Sequence, residues 1–309
     1  MSETGMLALD INTDSVAGIV FTRNKLDVEI LSAHFCRLSD SLTLDQALAE
    51  ILDTCTISSG RCLVSIGAEQ PHYRLLHVPF TDSKKVRSVV PFEIEDSASF
   101  QDEPFLFDYL LQKSGQEGTD VFAVLVKNQV IQLLLDVLGN HSLDPETITV
   151  SGLPSVWNAI ARKNVNRGSF ALLQIDWTKV TVYIVIDNEI KVIRSIPCRL
   201  MDDATADQQE HWGGNRSELP SHSVEALDRL TSDLRYSLVA AQSMLPENDD
   251  FPLVFEGVAG RLPPIRDFLL KELGGSQWEI DPQERVELKN YENLAEHPDG
   301  RCFDNALAL

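Results

Sequence analysis

Three short stretches carry residues that could cradle a phosphate. The first runs Leu7-Ala8-Leu9-Asp10-Ile11-Asn12-Thr13, an apolar run that ends in a turn and resumes at Ser15-Val16. A strand–turn–strand of this kind can hold a nucleotide phosphate on backbone N–H groups that converge in a concave turn. Glycine serves best there, because it accepts positive φ and brings no Cβ against the phosphate. Asn12 stands in that place, and asparagine is the next best residue in left-handed geometry. The second stretch is Ile175-Asp176-Trp177-Thr178-Lys179. Here an indole stands where the turn would need a glycine, and it is larger than the space such a turn leaves. The third, Phe255-Glu256-Gly257-Val258-Ala259-Gly260-Arg261, keeps two glycines but places a carboxylate where it would repel a triphosphate.

Asp10 and Asp176 are the pair that could hold Mg²⁺ through water, and Lys179 reads as a solvated surface lysine. Residues 149–163 offer neither a carboxylate nor a glutamine to orient an attacking water, a group that hydrolysis needs. The site expected is therefore a degenerate nucleotide cleft of Asp10, Asn12, Thr13, Asp176, Trp177, Thr178, Gly257 and Gly260. It has no catalytic residue and no metal. No cofactor is expected, with ATP and Mg²⁺ held as the alternative. His72 and His77 lie five apart on an expected strand, on opposite faces, so they do not converge on a metal. No serine sits in a G-x-S-x-G context.

The chain around these stretches has 309 residues and a net charge of -21. That balance excludes nucleic acid as a partner, which would need clustered Lys and Arg. Five cysteines without a CxxC pair read as reduced thiols. The first residues show no basic, apolar leader, and the longest apolar run is about half of a membrane span.

Apolar runs at 6–10, 16–21 and 26–31 read as strands, followed by a helix over 42–55 with Leu44, Leu48, Ile51 and Leu52 on one face. Strands follow near 61–69 and 72–80. A helix follows Asp82, and Pro91 should end or kink it. Two more strands, a helix stopped at Gly139-Asn140 and a strand near 145–152 close the first half. The second half repeats the order: strands at 168–176, 179–188 and 189–198, a long helix beyond Ser221, then a strand near 251–257 and a helix to Leu273. Asp187-Asn188 turns between two of these strands. The strand–strand–strand–helix–strand order thus occurs twice, each time opening on a strand that ends in Asp. We expect one α/β domain over 1–165, with an inserted subdomain about 70–118. A second is expected over 166–309, with a mobile loop about 202–221, and the two face each other across a cleft.

Several segments also resemble a known family. ALDINTDSV, LLQIDWTKVTVYIV and PLVFEGVAGRLPPIRDFLLKELG resemble the two phosphate motifs and the adenosine motif of actin-like ATPases. The middle segment VSIGAEQPHYRLLHVPFTDSKKVRSVVPFEIED, with the final DNALAL, resembles the type IV pilus assembly protein PilM and the cytoplasmic domain of the type II secretion protein GspL (EpsL-like). The resemblance implies an actin-like ATPase fold, two ribonuclease-H-like domains facing a cleft, with an altered second subdomain. It implies a place on the cytoplasmic side of the bacterial inner membrane. GspL-like proteins recruit the hexameric secretion ATPase, through the N-terminal domain of a GspE-like protein, and continue into a membrane helix. PilM-like proteins are soluble and hold the N-terminal tail of a membrane partner. The expected function is a non-catalytic scaffold of a type II secretion inner-membrane platform, with that ATPase and the platform proteins as partners. A PilM-like ATP-binding adaptor, and a sugar or acid kinase of the same fold, remain as alternatives. A homodimer stays open.

Overall fold

The computed structural model describes residues 5–24, 27–39, 41–54, 57, 60–97, 103–114, 118–161, 168–200, 221–245, 251–257, 259–260, 262–278, 287–289 and 306. The loop expected about 202–221 falls outside them, apart from Ser221.

The first lobe opens on an antiparallel meander of β1 (Met6–Ile11), β2 (Ser15–Asn24) and β3 (Asp27–Arg37). Helix α1 (Leu44–Thr54) then returns the chain to β4 (Arg61–Ile66), which lies parallel to β1. Helix α3 (Asn128–Asn140), strand β8 (Asp144–Val150), parallel to β4, and helix α4 (Leu153–Ala161) complete the lobe. Alternation along β1 drives Leu7, Leu9 and Ile11 to one face, where Leu48, Ile51, Leu134 and Leu138 cover them.

The second lobe repeats the plan with β9 (Phe170–Ile175), β10 (Lys179–Ile186), β11 (Glu189–Pro197), α5 (Ser221–Gln242) and β12 (Leu253–Glu256), followed by α6 (Pro263–Leu273). Its sheet order is β11-β10-β9-β12, with β12 parallel to β9. Asp187 and Asn188 turn β10 into β11 with φ of 54° and 64°, the double left-handed geometry of a hairpin turn.

Between β4 and α3 the chain inserts β5 (His72–Val78), α2 (Ser83–Ser97), β6 (Phe105–Ser114) and β7 (Thr119–Lys127). The insert expected about 70–118 reaches Lys127, because β5 and β6 both pair with β7 and not with each other. Helix α2 also runs on through Pro91. Proline removes one bond, to the carbonyl four residues back, and Arg87 there is exposed to water. Val86, Val90 and Ile94 meanwhile bury one stripe of the helix on the inserted sheet.

The lobes meet through α4. Leu153, Val156 and Ala159 pack with Phe170, Leu172, Tyr183 and Val185 of the second lobe. The chain also returns. Strand β13 (Glu287–Lys289) pairs parallel with β3, giving the first sheet the order β13-β3-β2-β1-β4-β8, and Ala306 is buried beside Ala8, Ala17 and Ile19. A division at residue 165 therefore leaves part of the first lobe on the wrong side. At the junction Gly152 holds φ 84° against the Tyr183 ring, and the Tyr183 hydroxyl donates to the Ser151 carbonyl. Gly152→Ala combines left-handed strain with overpacking and should cost about 3 kcal/mol. Urea unfolding followed by Trp fluorescence measures this, and a loss below about 1 kcal/mol would mean that the junction yields easily.

Candidate functional site

The two hairpin turns are built alike. The Asn12 N–H donates to the Ser15 carbonyl at 2.8 Å, and the Asp176 N–H donates to the Lys179 carbonyl at 2.9 Å. The last strand pairs before the turns are Ile11 with Val16 and Ile175 with Val180. Asn12 therefore corresponds to Asp176, Ser15 to Lys179, and Asp10 to Gln174. Matching Asp10 with Asp176 sets the second hairpin two residues out of register. The second lobe carries an amide where the first carries Asp10, and a carboxylate at the turn position.

Side chains from both turns interlock across the cleft. Lys179 Nζ donates to Asn12 Oδ1 at 3.2 Å and to Glu69 Oε2 at 2.5 Å. Asn12 Nδ2 donates to Asp10 Oδ2 at 3.0 Å, and Ser65 Oγ donates to Asp10 Oδ1. Thr13 donates to Glu69 Oε1 at 3.2 Å, and Thr178 of the second lobe donates to Asp14 of the first at 2.7 Å. Lys179 is only 7% exposed. It is an internal bridge between the lobes, not the solvated lysine expected. Its role is invisible without the turn register, which points the side chain inward beside Thr181 and Tyr183.

Trp177 corrects a second expectation. Its indole is buried with Leu200, Leu227 and Phe255 in the core beneath α5 and α6, on the face of the second sheet away from the cleft. It does not occupy the phosphate space. Gly257 and Gly260 serve the chain itself. The N–H groups of Ala259 and Gly260 both donate to the Ile175 carbonyl, at 2.9 and 3.2 Å, so these donors are already used. Gly257, at φ 83°, lies against the Ile175 backbone, where a Cβ would not fit.

Behind the bridge lies a buried polar layer. Gln174 Nε2 donates to Ser151 Oγ at 2.9 Å. Asp176 is half-buried, with Oδ2 shut off from water, and desolvation raises its pKa to about 7; the Lys179 charge opposes that rise, while Asp14, Asp10 and Glu69 add to it. Glu256 is buried opposite Gln174 in the sheet. One ammonium thus sits among five carboxylates, those of Asp10, Asp14, Glu69, Asp176 and Glu256. At the cleft mouth an open cavity of about 560 Å³ is lined by Thr13, Glu69, Tyr73, Lys179, Arg194 and Ser195. Its two cations are already engaged: Lys179 by Glu69 of the same lining, and Arg194 by Ser237 at 3.1 Å and Asp233 at 3.6 Å. These residues do not fit a nucleotide triphosphate, which would meet uncompensated anions and would have to displace Lys179. Among the described residues no His, Cys, Asp and Glu groups are arranged to hold a metal.

A second concave feature is apolar. A groove of about 440 Å³ runs between β6 and β8, floored by Ile131, Leu153 and Trp157. Both strands are at the edge of their sheets, and five consecutive β6 residues, Leu106 to Leu110, line it. The groove therefore follows the outer side of β6, beyond which no further strand pairs among the described residues. Strand β5 is the other outer strand of this sheet.

No family model matches the chain, and no curated protein matches it in sequence. Among solved structures, the PilM–PilN type IV pilus biogenesis complex is similar with a TM-score of 0.81 at 17% identity, over 98% of this chain and 97% of that one. A Bacteroides thetaiotaomicron protein of actin-like ATPase fold and unknown function follows with a TM-score of 0.52 at 10% identity, over 91% and 92%. The cytoplasmic domain of EpsL from Vibrio cholerae, an inner-membrane component of the type II secretion system, is more distant, with a TM-score of 0.44 at 12% identity over 81% of both chains. The chain has the actin-like ATPase fold, and the first of these likenesses lies with the family that residues 64–96 resemble. No helix among the described residues is long and apolar enough to cross a membrane.

Two substitutions test the interlobe bridge. Lys179→Met keeps length but removes the charge. Glu69 is a quarter exposed and rehydrates in part, so the expected loss is about 2 kcal/mol, below the usual ~3–5 for a broken buried pair. Asp176 has a raised folded pKa, so the stability it lends while protonated is lost as pH rises through about 7. Asp176→Asn should therefore gain steadily on the wild type as pH rises from about 4 to about 7, keep that lead above about pH 7, and converge with it below about pH 4. Equilibrium unfolding across pH reads both, and a pH-independent difference for Asp176→Asn would refute the assignment.

Proposed function

We propose that this protein is a non-catalytic adaptor on the cytoplasmic side of the bacterial inner membrane. In this reading it bridges a GspE-like cytoplasmic ATPase to the membrane proteins of a type II secretion or type IV pilus platform. The observation that carries the non-catalytic part is the Lys179 bridge to Asn12 and Glu69. It fills the space between the two turns with the protein's own cation, and Gln174 replaces the carboxylate that would balance Asp10. Likeness to PilM in its complex with PilN supports the platform part.

The groove between β6 and β8 is the seat we assign to the apolar N-terminal tail of a membrane partner. An extended peptide can add to an unpaired strand edge by backbone hydrogen bonds while its alternate side chains enter apolar pockets. Leu106 and Leu110, 47% and 42% exposed, supply such pockets from β6. A second reading, an ATP-binding adaptor of pilus assembly, draws on the two hairpin turns, which keep the closed form that phosphate turns have.

A thermal scan with ATP and Mg²⁺ separates the readings. A ligand at about 100 times its Kd stabilises by about 2.7 kcal/mol, which is roughly 4 °C for a chain of this size. The proposal expects a shift below about 1 °C at millimolar ATP. A shift of several degrees, lost in Asp10→Ala, would establish the second reading. For the groove, the Leu106→Asp/Leu110→Asp variant should keep its melting temperature and lose at least about tenfold in affinity for the platform partner's tail peptide. Unchanged affinity would place the tail elsewhere.

A further inference from the structure

The outer face of α2 carries charges in an order that its own helix disfavours. Lys84, Lys85 and Arg87 lie in its first half, and Glu93, Glu95 and Asp96 in its last; all six are exposed. A helix dipole favours the reverse, anions at the N-terminus and cations at the C-terminus. Asp82 offsets part of this by accepting from the Lys84 and Lys85 N–H groups at 3.1 and 2.9 Å. No intrahelical spacing rescues the rest, since no cation has an anion four residues on. Among the described residues none of the six forms an ion pair.

The order is also antisymmetric. Lys84 and Asp96 lie equally far from Val90, as do Lys85 and Glu95, Arg87 and Glu93, and Ser88 and Phe92. Helical spacing gathers Lys84, Lys85, Ser88, Phe92, Glu95 and Asp96 on one face, opposite the buried stripe. Phe92, in the middle of this face, is 70% exposed. A surface uniform in charge, such as an anionic membrane, would be repelled by one half of it.

We propose that this face is a two-fold interface with a second copy of the same chain, in which the two α2 helices lie antiparallel. A two-fold interface sets residue i of one copy against j of the other and j against i, and this sequence supplies the matching charges by itself. Lys84 and Lys85 of one copy meet the partner's Glu95 and Asp96, and Phe92 covers the partner's Ser88. The contact spans about 22 Å of helix, short of a permanent interface. The dimer is therefore a dissociating one, and the charge of -21 on each copy makes screening by about 0.15 M salt a condition of its formation.

Sedimentation velocity over a concentration series at that salt tests this with the full chain. The wild type should show a concentration-dependent dimer. Lys84→Glu/Lys85→Glu and Glu95→Lys/Asp96→Lys should each self-associate at least about tenfold more weakly, because like charges then face each other across the two-fold. Mixed one to one, the two variants should restore the dimer. Phe92→Ser should weaken it with all charges intact. Circular dichroism melts of each variant within a few degrees of wild type keep loss of fold apart from loss of contact. A wild type that stays monomeric throughout, or variants that dimerise as the wild type does, would overturn the proposal.

Discussion

The lysine at the second hairpin governs what the cleft between the lobes can be. Its ammonium sits among the carboxylates of Asp10, Asp14, Glu69, Asp176 and Glu256, and it reaches from β10 to the Asn12 turn and to Glu69. Burying a lysine costs several kcal/mol unless the charge is matched. Asn12 and Glu69 match it, Thr13 holds Glu69, and Asp10 holds Asn12. Each contact depends on the next, so the two turns form one unit. The Thr178–Asp14 bond ties the same turns a second time. The polar layer behind, from Gln174 to Ser151, lies within reach of the apolar α4 junction. The cleft is thus a cross-linked seam.

Much of the fold was legible from the chain. Alternating apolar runs mark the hairpins of both lobes, and the repeated element order marks the duplication. What misleads is register. An apolar strand that ends in Asp looks the same whether the Asp lies within the ladder, as Asp10 does opposite Ala17, or begins the turn, as Asp176 does. A shift of two residues keeps the faces but exchanges the roles. That is why the sequence sets Asp176 in the place of Gln174 and reads Lys179 as a surface residue. Trp177 fails for a related reason: composition says the residue is large, and only the strand's alternation says which face receives it. Pro91 shows the opposite limit, because the buried stripe of Val86, Val90 and Ile94 outweighs a local breaker on the solvent side.

The inserted sheet shows how one lobe acquires surfaces that the other lacks. Its central strand is β7, and β5 and β6 are its outer strands among the described residues. One edge borders the apolar groove, while α2 closes the sheet's other face with Val86, Val90 and Ile94. The second lobe, which shows no such insert among its described residues, covers its sheet with α5 and α6. The differences between two lobes of common plan therefore lie where partners would bind, and the common parts lie at the seam.

The return of the chain to its starting sheet has a consequence for biosynthesis. The neighbour of β3 and the residue that covers Ala8, Ala17 and Ile19 come from positions 287–289 and 306. While the ribosome is still translating the second lobe, the first already has its meander but leaves one edge and one small apolar patch bare. Its completion must follow translation of the segment beyond residue 286, so the first lobe reaches its final packing only when most of the sequence has emerged.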